Sequence, residues 1–182
     1  AVHFHVRVMR KIRKPKPKGV RGDDLTGLAT VGAADMIVDM PEIIQSGVHD
    51  RFPELIFVAV ETGSGWIPYI LEQMDDRWWR NRNWLPVKLE HEPSFYYRRN
   101  WRSAMMIDHY AVDNRHAIGV DNLMWSTDYP HHGCDWPESR RVVDEMFRGV
   151  AHDERAKICA ENAAKLYKLI GGRRGGLAPA PS

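Results

Sequence analysis

Six consecutive apolar residues at positions 55–60 constrain the fold of this chain more than any other segment. A run of this kind predicts a strand that is covered on both faces, as in a parallel sheet with helices packed against it. Glu61 follows directly, and a Gly-rich turn at residues 62–65 then leads into apolar residues at helical spacing. An ionisable residue in this position is either buried with a partner or part of a site.

The same order of strand and helix recurs along the chain. The patterns predict further strands at residues 2–8, 101–107 and 123–125, and helices at 28–45, 66–74, 110–118, 138–148 and 153–170. Strands that alternate with helices are typical of parallel βα units. A (β/α)8 barrel needs about 250 residues, so the span from His5 to Asp128 has room for about four strands. The sequence therefore predicts an α/β fold of the TIM-barrel type, with only about four βα units, or half a barrel.

The end of the strand at residues 123–125 carries the clearest candidate site. Ser-Thr-Asp follows the strand and Pro130 forbids further ladder pairing, so Asp128 is expected at the carboxyl end of the strand. His131 and His132 come next, and a carboxylate with imidazoles suits a divalent metal ion. The simpler alternative is that Asp128 caps a turn and both histidines are solvated. Residues 123–132 alone do not decide between a metal site and a solvated turn.

The first predicted strand carries two further imidazoles. His3 and His5 are two residues apart, so they point to the same face of a strand. Eight basic residues and two prolines follow between Arg7 and Arg21, which predicts an exposed loop. A solvated face is the simpler interpretation of this loop, although at the mouth of a site it could steer an anionic substrate. Nucleic-acid binding is not favoured, because the tryptophans that could stack on bases are remote in sequence.

Length and composition indicate one ordinary globular domain. The 182 residues contain no apolar segment long enough to span a membrane. Cys134 and Cys159 are far apart and form neither a metal motif nor a disulfide framework, so a reducing cytoplasm is the expected compartment. The chain starts without Met inside a predicted strand, which suggests a piece of a longer protein. We divide it into a folded unit at residues 1–170 and a disordered tail at residues 171–182, which is rich in Gly, Arg, Ala and Pro.

Four residue runs, in this order, carry a resemblance to a known family. They are Ser-Gly-Val-His-Asp-Arg-Phe-Pro-Glu-Leu (46–55), Val-Glu-Thr-Gly-Ser-Gly-Trp-Ile-Pro (60–68), Trp-Ser-Thr-Asp-Tyr-Pro-His (125–131) and Glu-Asn-Ala-Ala-Lys-Leu-Tyr (161–167). The chain resembles the amidohydrolase-related family that includes aminocarboxymuconate-semialdehyde decarboxylase, over nearly everything from Val2 to Leu169. The resemblance implies a metal-dependent (β/α)8 barrel, of which this chain is the C-terminal half.

The resemblance also implies a metal-ligand set. In this family the ligands are a His-x-His pair on the first strand, a His on the fifth and an Asp on the eighth. Asp128 matches the ligand on the eighth strand, and His5 matches the one on the fifth, because it is nearer the carboxyl end of its strand than His3 is. His3 and His5 cannot be the first-strand pair, since eight strands do not fit before Asp128. We therefore expect the first-strand pair to lie outside this chain.

One position departs from the family pattern. The decarboxylases of the family have an acid/base His at the end of the sixth strand, where Glu61 stands here. A carboxylate can also relay protons, so Glu61 is the candidate acid/base residue. Asp128 is the candidate ligand and proton acceptor, and we assign His3 and His131 to substrate contact. Zn²⁺ is the favoured ion and Mn²⁺ the alternative.

Two functions of different classes remain after these assignments. The first is a metal-dependent hydrolase or non-oxidative decarboxylase that acts on a small carboxylic or aromatic acid. The second is a catalytically inert half-barrel that needs its missing N-terminal half or a partner chain, because four parallel strands leave two open edges. A small-molecule substrate is the expected partner. Assembly with further copies of the chain is left open, and a membrane is not expected.

Overall fold

The computed structural model describes residues 1–5, 25–131 and 133–169, with only the backbone for residues 25–32. Three sequence predictions therefore lie outside the described residues. They concern the basic loop at residues 7–21, His132, and the tail at residues 171–182.

A single four-stranded sheet forms the centre of the described structure. Its strands are β1 (Val2–His5), β2 (Phe57–Val60), β3 (Trp101–Met105) and β4 (Leu123–Trp125). They pair in parallel in the order β1-β2-β3-β4, with helical segments between consecutive strands. All four predicted strands are present, and the four consecutive βα units match the predicted α/β half-barrel.

The helices cover one face of the sheet. They are α1 (Leu25–Gln45), α2 (Val48–Arg51), α3 (Ile67–Asn81), α4 (Pro93–Asn100), α5 (His109–Asp113), α6 (Arg115–Ile118), α7 (Ser139–Met146), α8 (His152–Ala156) and α9 (Asn162–Leu166). A 3₁₀ turn at Val120–Asn122 precedes β4, and a π-helical turn at Lys157–Glu161 joins α8 to α9. In the described part of the chain, no helix has the length and apolar character needed to cross a membrane.

Two predicted helices are divided, and two helices are unexpected. The helix predicted at residues 110–118 is split at Asn114 into α5 and α6, and the one predicted at residues 153–170 contains the π-helical turn. The unexpected helices are the four-residue α2 and the longer α4, and α4 contains three consecutive aromatic residues that favour strands. Pro93 at its first position is suited to starting a helix, and Tyr96 and Tyr97 are buried, so packing outweighs local propensity here.

The strand register separates a helix-covered face from the face that carries the histidines. Phe4 packs against Phe57 and Trp101, with ring centroids 5.3 and 5.9 Å apart, and Trp101 is fully buried in the core between sheet and helices. Side chains alternate along a strand. His3 and His5 therefore point together to the opposite face, as predicted.

Three buried or partly buried asparagines fix the amino ends of the strands. The Asn100 side chain donates to the carbonyl oxygens of Pro53 and Leu55, at 2.8 and 2.9 Å, just before β2. Asn122 donates to the Trp101 carbonyl at 2.8 Å, and Asn162 donates at 2.8 Å to the carbonyls of Val120 and Leu123. These amides satisfy carbonyls at the starts of β2, β3 and β4, so each of these three strands is attached to a helical segment.

Replacement of Asn100 tests this account of the strand ends. Asn100→Ala leaves the two carbonyls before β2 without their amide donor in a fully buried position. We expect the free energy of unfolding in urea to fall by about 1–3 kcal/mol. Asn83→Ala is the control because Asn83 is exposed in a turn, and its effect is expected to stay within about 0.5 kcal/mol. Equal effects of the two substitutions would contradict the account.

Candidate active site

Polar residues lie at the carboxyl ends of all four strands. His5 is the last residue of β1 and Glu61 directly follows β2. Asp108 lies three residues beyond β3, and Asp128 lies three residues beyond β4. Because the strands are parallel, these ends share one edge of the sheet, which is the edge where α/β barrels carry their active sites.

His5 and Glu61 form a contact between neighbouring strands. The His5 Nε2 atom lies 2.9 Å from the Glu61 Oε1 atom, and the side chains are 57% and 23% exposed. His5 pairs with Val60 in the β1–β2 register, so Glu61, the next residue after Val60, lies beside His5. Glu61 has a φ of +59°, a left-handed conformation that side chains other than glycine seldom adopt. The structure therefore brings together the predicted ligand on β1 and the predicted acid/base residue.

Asp128 and His131 form a second contact beyond β4. The His131 Nδ1 atom lies 3.1 Å from the Asp128 Oδ2 atom, and the side chains are 57% and 20% exposed. The His131 amide also donates to the Asp128 carbonyl at 2.8 Å, so Asp128 does form a turn. Its φ of +58° places it in the same left-handed region as Glu61. The turn and the contact between carboxylate and imidazole are therefore features of the same loop.

His3 contacts Tyr167, the residue that directly follows α9. Its Nε2 atom lies 2.7 Å from the Tyr167 hydroxyl, and the two rings stack with centroids 5.7 Å apart. Sequence reasoning placed Tyr167 only in a family-like run and gave it no role, because the two residues are 164 positions apart. The assignment of His3 to substrate contact stays a prediction.

The donor atoms are suited to a divalent ion, but they are grouped in pairs. Imidazole nitrogens and carboxylate oxygens are ordinary ligands of Zn²⁺ and are also compatible with Mn²⁺. Among residues 1–5, 25–131 and 133–169, no group of three or more His, Cys, Asp or Glu side chains lies close enough to hold a metal ion. A catalytic zinc site commonly has three protein ligands. The described residues therefore fit part of a ligand set.

Asp108 is a residue of this edge to which sequence reasoning gave no role. Its Oδ2 atom accepts from the amides of Ser64 and Gly65, at 2.7 and 3.0 Å, and its Oδ1 atom accepts from the Ala111 amide at 2.9 Å. The available signal was the one that identified Glu61, namely an ionisable residue shortly after a predicted strand. Its partners were not visible, because they are backbone amides on another loop.

His49 belongs to the core rather than to this edge, although it lies in a family-like run. It is fully buried beside Phe57, and its Nε2 atom accepts from the Trp101 indole at 3.0 Å. Burial, reinforced by the positive charge of Arg99, lowers the pKa of His49 to about 4. The ring is therefore neutral at pH 7 and packs between the sheet and the helices.

Comparison with known proteins gives a family match and several similar folds. The family model described as amidohydrolase matches residues 2–169. A search of curated proteins gives no match. The crystal structure of 5-carboxyvanillate decarboxylase from Sphingomonas paucimobilis is 26% identical with a TM-score of 0.60, over 70% of this chain and 38% of that one.

Two further solved structures share the fold. A 2,6-dihydroxybenzoate decarboxylase from Rhizobium is 22% identical with a TM-score of 0.63, over 87% of this chain and 50% of that one. A dihydroxybenzoic acid decarboxylase from Polaromonas sp. JS666, with bound manganese and the inhibitor 2-nitroresorcinol, is 21% identical with a TM-score of 0.63, over 77% and 42%. The predicted half of a (β/α)8 barrel is confirmed, and the chain spans half or less of the length of these three proteins.

The left-handed backbone of Glu61 gives a test of the site geometry. Glu61→Gly and Glu61→Ala both remove the contact with His5, but only glycine adopts a φ of +59° without strain. We expect the glycine variant to have a free energy of unfolding higher than the alanine variant by about 1 kcal/mol. At the exposed helical residue Glu72 the order is expected to reverse, with alanine favoured by about 1 kcal/mol. The same order at both positions in urea unfolding would contradict the described backbone of Glu61.

Proposed function

The chain belongs to the amidohydrolase family, and from this premise we propose that it forms the C-terminal half of a metal-dependent decarboxylase of small aromatic acids. The observation that carries the proposal is the contact between His5 and Glu61 at the edge of the sheet that also carries Asp128. Three proteins with a similar fold are named as decarboxylases of substituted benzoic acids, which supports this substrate class.

His5 and Asp128 are proposed as this half's contribution to the metal site. Both lie at the carboxyl ends of parallel strands, with an imidazole nitrogen on one and a carboxylate on the other. The remaining ligands would come from outside the described residues. Zn²⁺ suits these donors, and manganese in two proteins of similar fold supports Mn²⁺ equally. When bound, the ion supplies a positive charge that binds and polarises the acid group of the substrate.

Glu61 is proposed as the residue that handles the proton. Loss of CO₂ breaks the bond between the ring carbon and the carboxyl carbon, and the electron pair left on the ring carbon must be protonated. Glu61 is mostly buried, and its carboxyl group lies 2.9 Å from His5. In its protonated form it would donate a proton to that carbon, and the carboxylate left behind would regain a proton from water, which is general acid catalysis. His131 and His3 are proposed as contacts to the substrate.

Hydrolysis is the second candidate reaction. Asp128 has its carboxylate mostly buried beside His131 and could accept a proton from an attacking water molecule. Such a reaction would add water across a C–N or C–O bond and would release no CO₂. The two reactions therefore differ in a product that can be measured directly.

The inert half-barrel remains the alternative of a different class. Strands β1 and β4 are the outer strands of the sheet formed by the described residues, so their outer edges offer unpaired amides and carbonyls. A chain of this kind would need a partner chain, or further copies of itself, to cover these edges. It would bind no metal with the stoichiometry of an enzyme.

Metal content and CO₂ release together test the proposal. We expect the full-length protein to bind one equivalent of metal per chain and to release CO₂ from a dihydroxybenzoate. Asp128→Ala should abolish both, because it removes a ligand. Asp121→Ala is the control, since that carboxylate is exposed and pairs with Lys157 at 3.1 Å.

Three results would contradict parts of the proposal. If Asp128→Ala and Asp121→Ala bind equal amounts of metal, the ligand role of Asp128 is contradicted. Turnover of an amide or ester without CO₂ release would favour hydrolysis. A wild-type protein that holds no metal would favour the inert half-barrel.

A further inference from the structure

The Asp108 carboxylate binds two backbone amides of the loop that follows β2, and the Trp66 indole donates to the carbonyls of Thr62 and Gly63 in the same loop. Asp108 accepts three backbone N–H groups, from Ser64 and Gly65 on that loop and from Ala111 in α5. Both of its oxygens are used, and hydrogen bonds from amides to an ionised acceptor are stronger than those between neutral groups. Asp108 thus links the loop after β2 to the loop after β3 across 44 residues of sequence.

The loop is fitted closely around this carboxylate. Ser64 is fully buried, and its hydroxyl lies 2.7 Å from the hydroxyl of Ser103 on β3. A Cβ atom added at Gly65 would lie 3.1 Å from the Asp108 Oδ1 atom and 3.0 Å from the Tyr110 ring. Glycine therefore leaves the room that Asp108 needs to approach the backbone. The loop has little freedom to move while Asp108 is in place.

Glu61 enters this loop in a conformation that it would not adopt alone. It lies three residues before Ser64, and its φ of +59° is unfavourable for a residue with a Cβ atom. Such a conformation persists only where the surrounding structure enforces it. The fixed points on the two sides are the ladder of β2 and the amides bound by Asp108.

We propose that Asp108 is a positioning residue, which holds the 62–65 turn so that the Glu61 carboxylate is directed at His5. This inference rests on the proposed function, in which Glu61 transfers the proton. It assigns to Asp108 no contact with the substrate or the metal. Its effect on turnover would come entirely through the orientation of Glu61.

Asp108→Asn tests the inference with little change in size. Asparagine has one acceptor oxygen, so its NH₂ group must face either the Ser64 and Gly65 amides or the Ala111 amide. We expect kcat for CO₂ release to fall by about 100-fold, the effect of a displacement of about 1 Å at a catalytic group, while KM changes little. Asp113→Asn is the matched control and should leave kcat unchanged, because Asp113 is exposed at the end of α5, the helix that Asp108 caps.

A double-mutant cycle separates positioning from a general structural role. If Asp108 acts through Glu61, adding Asp108→Asn to Glu61→Gln should lower kcat no further than Glu61→Gln alone. Losses that multiply in the double variant would overturn the inference, because Asp108 would then act independently of Glu61.

Crystal structures of the full-length protein give a readout that does not depend on turnover. The Glu61 carboxylate should move by about 1 Å or more relative to β2 in Asp108→Asn. Gly65→Ala, which crowds the same contact from the other side, should displace it in a similar way. An unmoved Glu61 in both variants would overturn the positioning role. A wild-type protein that turns over no acid would contradict the proposed function instead, and the displacement would still decide this inference.

Discussion

Parallel pairing of four short strands is the constraint on which the rest of the structure depends. Because β1 to β4 run in the same direction, every strand ends at the same edge of the sheet, and the polar residues that follow the strands gather there. The asparagine side chains at the amino ends and the Asp108 carboxylate at the carboxyl ends both connect neighbouring units. The core between the sheet and the helices contains the neutral His49 and is separate from this edge.

The sequence predicted the strands and the residues that follow them, because hydrophobic patterning reports burial directly. The run at residues 55–60 and Glu61 are the clearest example. The α4 helix was not predictable, since its aromatic residues favour strands and only packing of Tyr96 and Tyr97 in the core decides the outcome. The role of Asp108 was hidden for a different reason. Its partners are amides, which every residue has, and their arrangement is set by the tertiary structure.

Glu61 and Asp128 are two of the three described residues other than glycine with a left-handed backbone, and both are residues of the proposed site. Residues with a Cβ atom in this region are destabilising, and they are often found at functional sites, where the surrounding structure compensates for the cost. Near Glu61, the hydrogen bonds that Ser64 forms with Asp108 and Ser103 hold the backbone. At Asp128, the hydrogen bond from the His131 amide to the Asp128 carbonyl holds it. The contacts around Glu61 and those around Asp128 are therefore two separate groups at the same edge of the sheet.

The position of the metal is the most direct test of the proposed site. Crystals of the full-length protein with bound Zn²⁺ or Mn²⁺ can be measured at the absorption edge of the metal, so that anomalous scattering locates the ion. We predict a peak about 2.1 Å from the His5 imidazole nitrogen and about the same distance from an Asp128 carboxylate oxygen. A peak bound by other residues, with His5 and Asp128 still in their separate contacts with Glu61 and His131, would contradict the assignment of the site.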